Sequence, residues 1–324
     1  MRRREFITLL GGAAALVPLT GRTQEVGRTY RIGGLSPSPR DAPHYVAFFD
    51  ELRRLGFIEG QNMSVDGRGY GVRNDQFMEI AAELVKAQVG TIFCAGDVAI
   101  RAAQRATATI PIVAVTDDMV GSGLVRSLAN PDGNTTGVSI LATELDGKRQ
   151  DILMEAVPGL RRMAALADSD TTAPGQLQAL QEAARARSIE LSIHRVARSE
   201  EIVPAIDAAK TSGAAALNVL ASPLLHANRR VIIERAAALR LPAAYQWPET
   251  ADEGGLVAYG PRLIQIFREM LAPQLVKALR GTKPADMPVE QPTRFEFVVN
   301  LTTAKVLGLE IPLPQLGRAD EVIE

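Results

Sequence analysis

Apolar positions along the chain follow two alternating periods. A short apolar run at 30–36 (YRIGGLS) reads as a buried strand. The next segment, 44–57, places Tyr45, Phe48, Phe49, Leu52 and Leu55 at the i, i+3, i+4, i+7 spacing of an amphipathic helix, which Gly56 closes. The alternation continues with strand 63–68, helix 75–88, strand 91–95, helix 97–107 and strand 112–116. Strands separated by helices of this length imply βαβ crossovers and a mostly parallel sheet covered on both faces.

The rhythm breaks at Asn130-Pro131-Asp132-Gly133-Asn134, a run of turn formers that marks a candidate boundary. It then restarts. Strands are expected at 137–141, 163–167, 190–195, 214–220, 243–247 and 256–259. Helices fall at 144–157, 174–187, 200–211, 225–239 and 264–279. A proline-rich stretch, 283–292, leads to a last strand at 295–299 and a short helix at 302–307. The expected architecture is α/β, with two doubly wound, flavodoxin-like lobes and a ligand cleft between them.

The first residues stand apart. Arg2, Arg3 and Arg4 precede an uncharged stretch at 6–21, the layout of an export signal. The arginine pair before Phe6-Ile7 resembles the twin-arginine signal, which exports folded proteins. A spanning helix needs about 20 apolar residues, and glycine, threonine and proline dilute this shorter run. Cleavage near residue 23 and release into a periplasm are expected. No cysteine follows the run, so no lipid anchor is expected. The single cysteine, Cys94, permits no internal disulfide and reads as a core residue. Removing 1–23 takes away four arginines and one glutamate, leaving 32 basic against 36 acidic residues, a net charge of −4. With no basic stripe carrying aromatics, nucleic acid is not an expected partner.

In open parallel sheets, ligands sit beyond the C-terminal ends of strands, beside helix N-termini. In the first half, loops at those positions carry Ser36 and Ser38, Gly96 and Asp97, and Asp117 with Asp118. The second half offers Thr143 and Glu144, Ser169 between Asp168 and Asp170, Ser222, Tyr245 and Gln246 before Trp247, and Tyr259. Hydroxyls, carboxylates, an amide and aromatics from both halves suit a small polar or zwitterionic ligand with an apolar part. Any one Ser, Thr or Asp can instead cap the following helix; the set reads as a site. Adjacent residues at a strand end point to opposite sides, so Asp117 and Asp118 do not share a ligand. Tests for catalysis come back empty. His44, His194 and His226 show no metal-ligand spacing, and there is no G-x-S-x-G, Walker loop or G-x-G-x-x-G. Binding without turnover, with no cofactor and no metal, is expected. The alternative is an exported enzyme with Asp118 and Glu144 as an acid/base pair across the lobes.

Several segments, in order, carry a resemblance. They are RRREFITLLGGAAA at the start, LRRLGFIEGQN, ATIPIVAV (108–115), NPDGNTTGVS (130–139), LPAAYQW (241–247), GGLVAYGP (254–261) and the long stretch 283–312. Together these resemble ABC-transporter substrate-binding proteins related to tryptophan and aromatic amino-acid binders. The resemblance implies a type I periplasmic binding protein, a monomer of two hinged lobes that delivers a small-molecule ligand to an ABC permease in the membrane. Its three crossovers would fall near Asn134, Gly260 and Pro288. The first lobe would then be 28–134 plus 262–286, and the second 135–261 plus 287–324. The resemblance also places the family-like acid of the fourth strand on Asp118, the Thr-Glu pair on Thr143-Glu144 and the Tyr-Gly pair on Tyr259-Gly260. Two departures, Ser222-Pro223 for Asp-Pro and Gly96-Asp97 for a Gly-Thr-style loop, keep the ligand's charge arrangement open. A ligand-sensing module for a membrane signalling protein shares the fold and stays open as well.

Overall fold

The computed structural model describes residues 29–140 and 142–324, with the backbone alone at 142–144. The arginine-led segment and its expected cleavage site lie outside the described residues. The first sheet is wholly parallel, in the order β2-β1-β3-β4-β5. Its strands are β1 (Tyr30–Leu35), β2 (Met63–Asp66), β3 (Thr91–Ala95), β4 (Ile112–Thr116) and β5 (Thr135–Ser139). The second runs β12-β11-β10-β9-β8-β6-β7. It contains β6 (Arg162–Asp168), β7 (Glu190–Val196), β8 (Leu217–Val219), β9 (Ala243–Tyr245), β10 (Val257–Gly260), β11 (Glu296–Asn300) and β12 (Glu321–Ile323). Among the described residues, only β10 and β11 pair antiparallel.

Helices cover both faces of the first sheet, which is why β3 (TIFCA) and β4 (IVAVT) are apolar runs and not alternating ones. On one face Phe48 of helix Pro43–Arg54 packs with Phe267, Leu271 and Leu275 onto Phe93 and Val113. On the other, Leu84 and Ile100, from helices Phe77–Lys86 and Asp97–Ala106, meet Ile92 and Ile112. The first lobe is thus completed by 263–279, which return to it after β10. Within that returning segment, α-helical Leu263–Gln265 and Ala272–Leu279 flank Ile266–Leu271, which is wound as a π-helix. Pro273 has no N–H to give to the Glu269 carbonyl, as an α-helix would require, and the wider turn absorbs the missing bond.

Two expected boundaries shift. The loop at 130–134 does not end the first lobe, because β5 follows it and pairs with β4 from Ile112↔Thr135 to Thr116↔Ser139. At Gly137, where φ is 144°, a Cβ would lie 1.8 Å from the Ala114 carbonyl oxygen, so the two backbones can meet only over glycine. A cluster of turn formers says that the chain reverses; it does not say which sheet takes the next strand. The first crossover follows Ser139, not Asn134. The third also comes later than 287. Thr136 Oγ1 donates to the Met287 carbonyl at 2.7 Å, and the N–H groups of Val289 and Glu290 donate to Leu128 and Gly137. The expected helix at 225–239 is broken into Pro223–Ala227 and Arg229–Ala238 at Asn228, whose Nδ2 donates to the Leu224 carbonyl at 2.8 Å. No helix among the described residues is long and apolar enough to cross a membrane.

Candidate functional site

The C-terminal ends of β1, β3 and β4 face those of β8 and β9 across a cavity. The space between its walls, counting the mouth to solvent, is about 460 Å³. The lobes are closed on each other. His44 and His226 approach from opposite lobes with ring centroids 5.7 Å apart, and Asn74 Nδ2 donates to Asp170 at 3.4 Å. Gly96, with φ at 89°, lies so near Pro223 that a Cβ would stand 2.6 Å from Pro223 Cγ. Gly96→Ala is therefore expected to cost about 1–3 kcal/mol of stability, because φ 89° with ψ 157° is a backbone region that essentially only glycine occupies. It should also weaken ligand binding, because the methyl group meets Pro223 only in the closed form. Calorimetric titration beside thermal melting separates the two effects.

Ser36, Ser38, Gly96, Ser222 and Gln246 all reach the cavity wall, as their strand-end positions suggest. Part of their capacity is already committed. Ser36 Oγ accepts from the Ser38 N–H at 3.1 Å. Ser222 Oγ donates to Asp168 at 2.6 Å and accepts from the Leu225 N–H at 3.3 Å, so its hydroxyl both caps a helix and lines the site. Asp97 lies just outside, in a smaller space between the lobes, and accepts from Thr116 Oγ1.

Four expected residues are placed elsewhere. Asp118 folds over its own turn, accepting from the N–H groups of Val120 and Gly121 at 3.1 and 2.8 Å. Ser169 is held to β7 by its N–H bond to the Val196 carbonyl at 2.8 Å. Tyr259 stacks on Phe295 at 6.3 Å, and its carbonyl accepts from Arg149 at 3.1 Å. Tyr245 is buried in the second-lobe core with Leu217, Ile233 and Ala258, behind the cavity wall. Tyr245→Ala is accordingly expected to lose about 3–5 kcal/mol of folding stability, as buried aromatic truncations do; urea unfolding measures it. The side chains of Thr143 and Glu144 lie outside the described residues.

In their stead the cavity gains Asp117, His44, His226, Trp247 and Phe267. Among the described residues Asp117 is the acid on the cavity wall, with Asp118 folded over its own turn. Burial, with the Asp146 and Asp97 carboxylates close by and Arg149 opposing, pushes Asp117 up to about 7. Gln246 lies beside it, yet Gln246 Nε2 has no hydrogen-bond partner. His44 opens helix Pro43–Arg54 behind Pro43, and burial, helped by Arg229, lowers it to about 3. His226 is lowered too, by burial and then by His44 and Arg229. Both rings are neutral at pH 7. No lysine or arginine lines the cavity among the described residues, and no cluster of three metal-ligating side chains occurs among them. The arrangement can hold an ammonium group against Asp117 and an apolar or aromatic body against the rings.

Known proteins share this plan. A curated relative from Clostridioides difficile (strain R20291), named a tyrosine-binding protein, is 25% identical over 272 residues, spanning 81% of this chain and 76% of that one. A solved ABC domain from Streptococcus pneumoniae in complex with L-Trp superposes with a TM-score of 0.78 at 20% identity, over 91% of this chain and all, 100%, of that one. A conserved domain protein from Vibrio cholerae gives 0.81 at 22% identity, covering 91% and 99%. Likeness at these identities shows the fold: two α/β lobes of the type I periplasmic binding protein kind. The family model described as ABC transporter substrate binding protein matches residues 42–323, and the chain belongs to that family.

Proposed function

We propose that this chain is the exported solute-binding component of an ABC import system. It takes an amino acid with an aromatic or large apolar side chain between its lobes and presents it to a membrane permease. One observation carries the reading: among the described residues one acid, Asp117, stands in the wall of an interlobe cavity otherwise built from rings, aliphatic groups, hydroxyls and an amide of both lobes. Asp117 receives the ammonium group, a strong charge-assisted contact in a dry site. Trp247 and Phe267 flank the apolar part. The ligands named for two relatives, tyrosine and L-Trp, suit these walls. Closure around the ligand by rotation about the three crossovers gives the permease a surface to recognise. Export is supported by the arginine-led segment at 2–21.

A thermal-shift screen against aromatic and aliphatic amino acids, sugars and nucleosides tests the ligand class. Ligand at 100 times its Kd stabilises by about 2.7 kcal/mol, and aromatic amino acids are expected to give that shift. Stabilisation by sugars or nucleosides alone would overturn the reading.

A further inference from the structure

We propose that His226 reads the distal end of the ligand's side chain, selecting a ring that carries an uncharged hydroxyl over the same ring without one. This rests on the amino-acid reading above and adds the far group of the ligand to it. Asp117 and Gln246 lie side by side on the cavity wall. On the same wall an aromatic group gathers, where His226 stands edge-on to Trp247, with centroids 5.9 Å apart at 71°, and faces His44. Phe267 packs against His44 at 4.6 Å.

Within this aromatic group His226 supplies two polar atoms. Nδ1 and Nε2 are both shut off from solvent, and neither has a hydrogen-bond partner. Buried polar atoms are nearly always paired, so an unpaired one on a cavity wall points to a group the cavity is built to receive. The residue lines both the main cavity and a smaller space that Arg229 and Thr250 also line. Held neutral by burial first and by the nearby Arg229, the imidazole offers one donor and one acceptor. Arg229, close enough to act on the ring, is paired with Glu253 at 2.7 Å and does not line the main cavity. A hydroxyl both donates and accepts, and so satisfies whichever nitrogen faces it.

Calorimetric titration of the purified protein with tyrosine and with phenylalanine tests the inference, repeated on His226→Leu and His226→Gln. The wild-type protein is expected to hold tyrosine about 10–100-fold tighter than phenylalanine, the ratio for one buried hydrogen-bonding group made or left unmet. His226→Leu should abolish the preference while keeping phenylalanine binding, and His226→Gln, with a donor and an acceptor restored, should keep part of it. Should His226→Leu not fold, His226→Phe carries the same expectation. Equal wild-type affinity for the two amino acids, or a full preference surviving in His226→Leu, overturns this inference alone. Binding of neither overturns this inference, and the thermal-shift screen then decides the amino-acid reading separately.

Discussion

Asp117→Asn is expected to weaken ligand binding by about 2–4 kcal/mol, roughly 30- to 900-fold, without making the protein less stable at neutral pH or above. The loss follows from removing the only carboxylate on the cavity wall among the described residues. The pH dependence follows from its environment. An ammonium ligand needs Asp117 ionised, and the group is pushed up to about 7. Wild-type affinity should therefore fall as pH drops below about 7, approaching tenfold per unit, and the Asn variant should lack this slope. Stability runs the other way. A carboxyl raised in the folded state binds its proton more tightly there than in the unfolded chain. The stabilisation this gives is present at low pH and is lost as pH rises from about 4 to 7. Above that range the buried charge is a cost that asparagine removes. Titrations at about pH 5, 6, 7 and 8, with melting curves at the same values, test both slopes. A flat wild-type profile would take the ammonium away from Asp117.

Arg149→Leu is expected to cost about 3–5 kcal/mol of folding stability, the usual result of breaking a buried ion pair from one side. Arg149 and Asp146 are one turn apart on helix Ala142–Ala156, and both side chains are 0% exposed. Arg149 also donates to the Tyr259 carbonyl at 3.1 Å. Asp146 accepts from Gln176 and from the Ala221 N–H, so the pair ties that helix to strand β10 and to the loop after β8. Leucine would leave Asp146 buried with its charge unmatched. Adding Asp146→Asn should recover much of the loss, since the desolvation cost goes with the charge. Arg149 also opposes the upward push on Asp117, so the single variant should move the pH midpoint of ligand binding higher. Urea unfolding reads the first effect and titration against pH the second.

The βα rhythm was legible because it is local: period and caps are written within each segment. The membership of β5 was not, since pairing with β4 depends on Gly137 meeting Ala114 some twenty residues back, and nothing near the 130–134 loop encodes it. Strand ends were found, and with them Ser36, Gly96, Ser222 and Gln246. Choosing between Asp117 and Asp118 needed the phase of the strand at its last residue, where the chain already curls into the turn that Asp118 accepts from. Metal-ligand spacing, the usual signal of paired histidines, is absent from His44 and His226. They lie far apart in sequence and adjacent in space. The available signal was position: His44 opens the first helix after β1, and His226 lies one turn beyond Ser222.

The first lobe is finished by residues that come late. Leu263, Phe267, Leu271 and Leu275 close its core on Phe48, Phe93 and Val113, and 287–290 complete its far edge. A ribosome adding about 5–20 residues per second makes β6 through β10 before it reaches them. The N-terminal sheet therefore waits, one apolar face uncovered, until nearly the whole chain has been synthesised. The lobe that begins first cannot fold first, and any factor that shields the nascent chain must act over most of its translation.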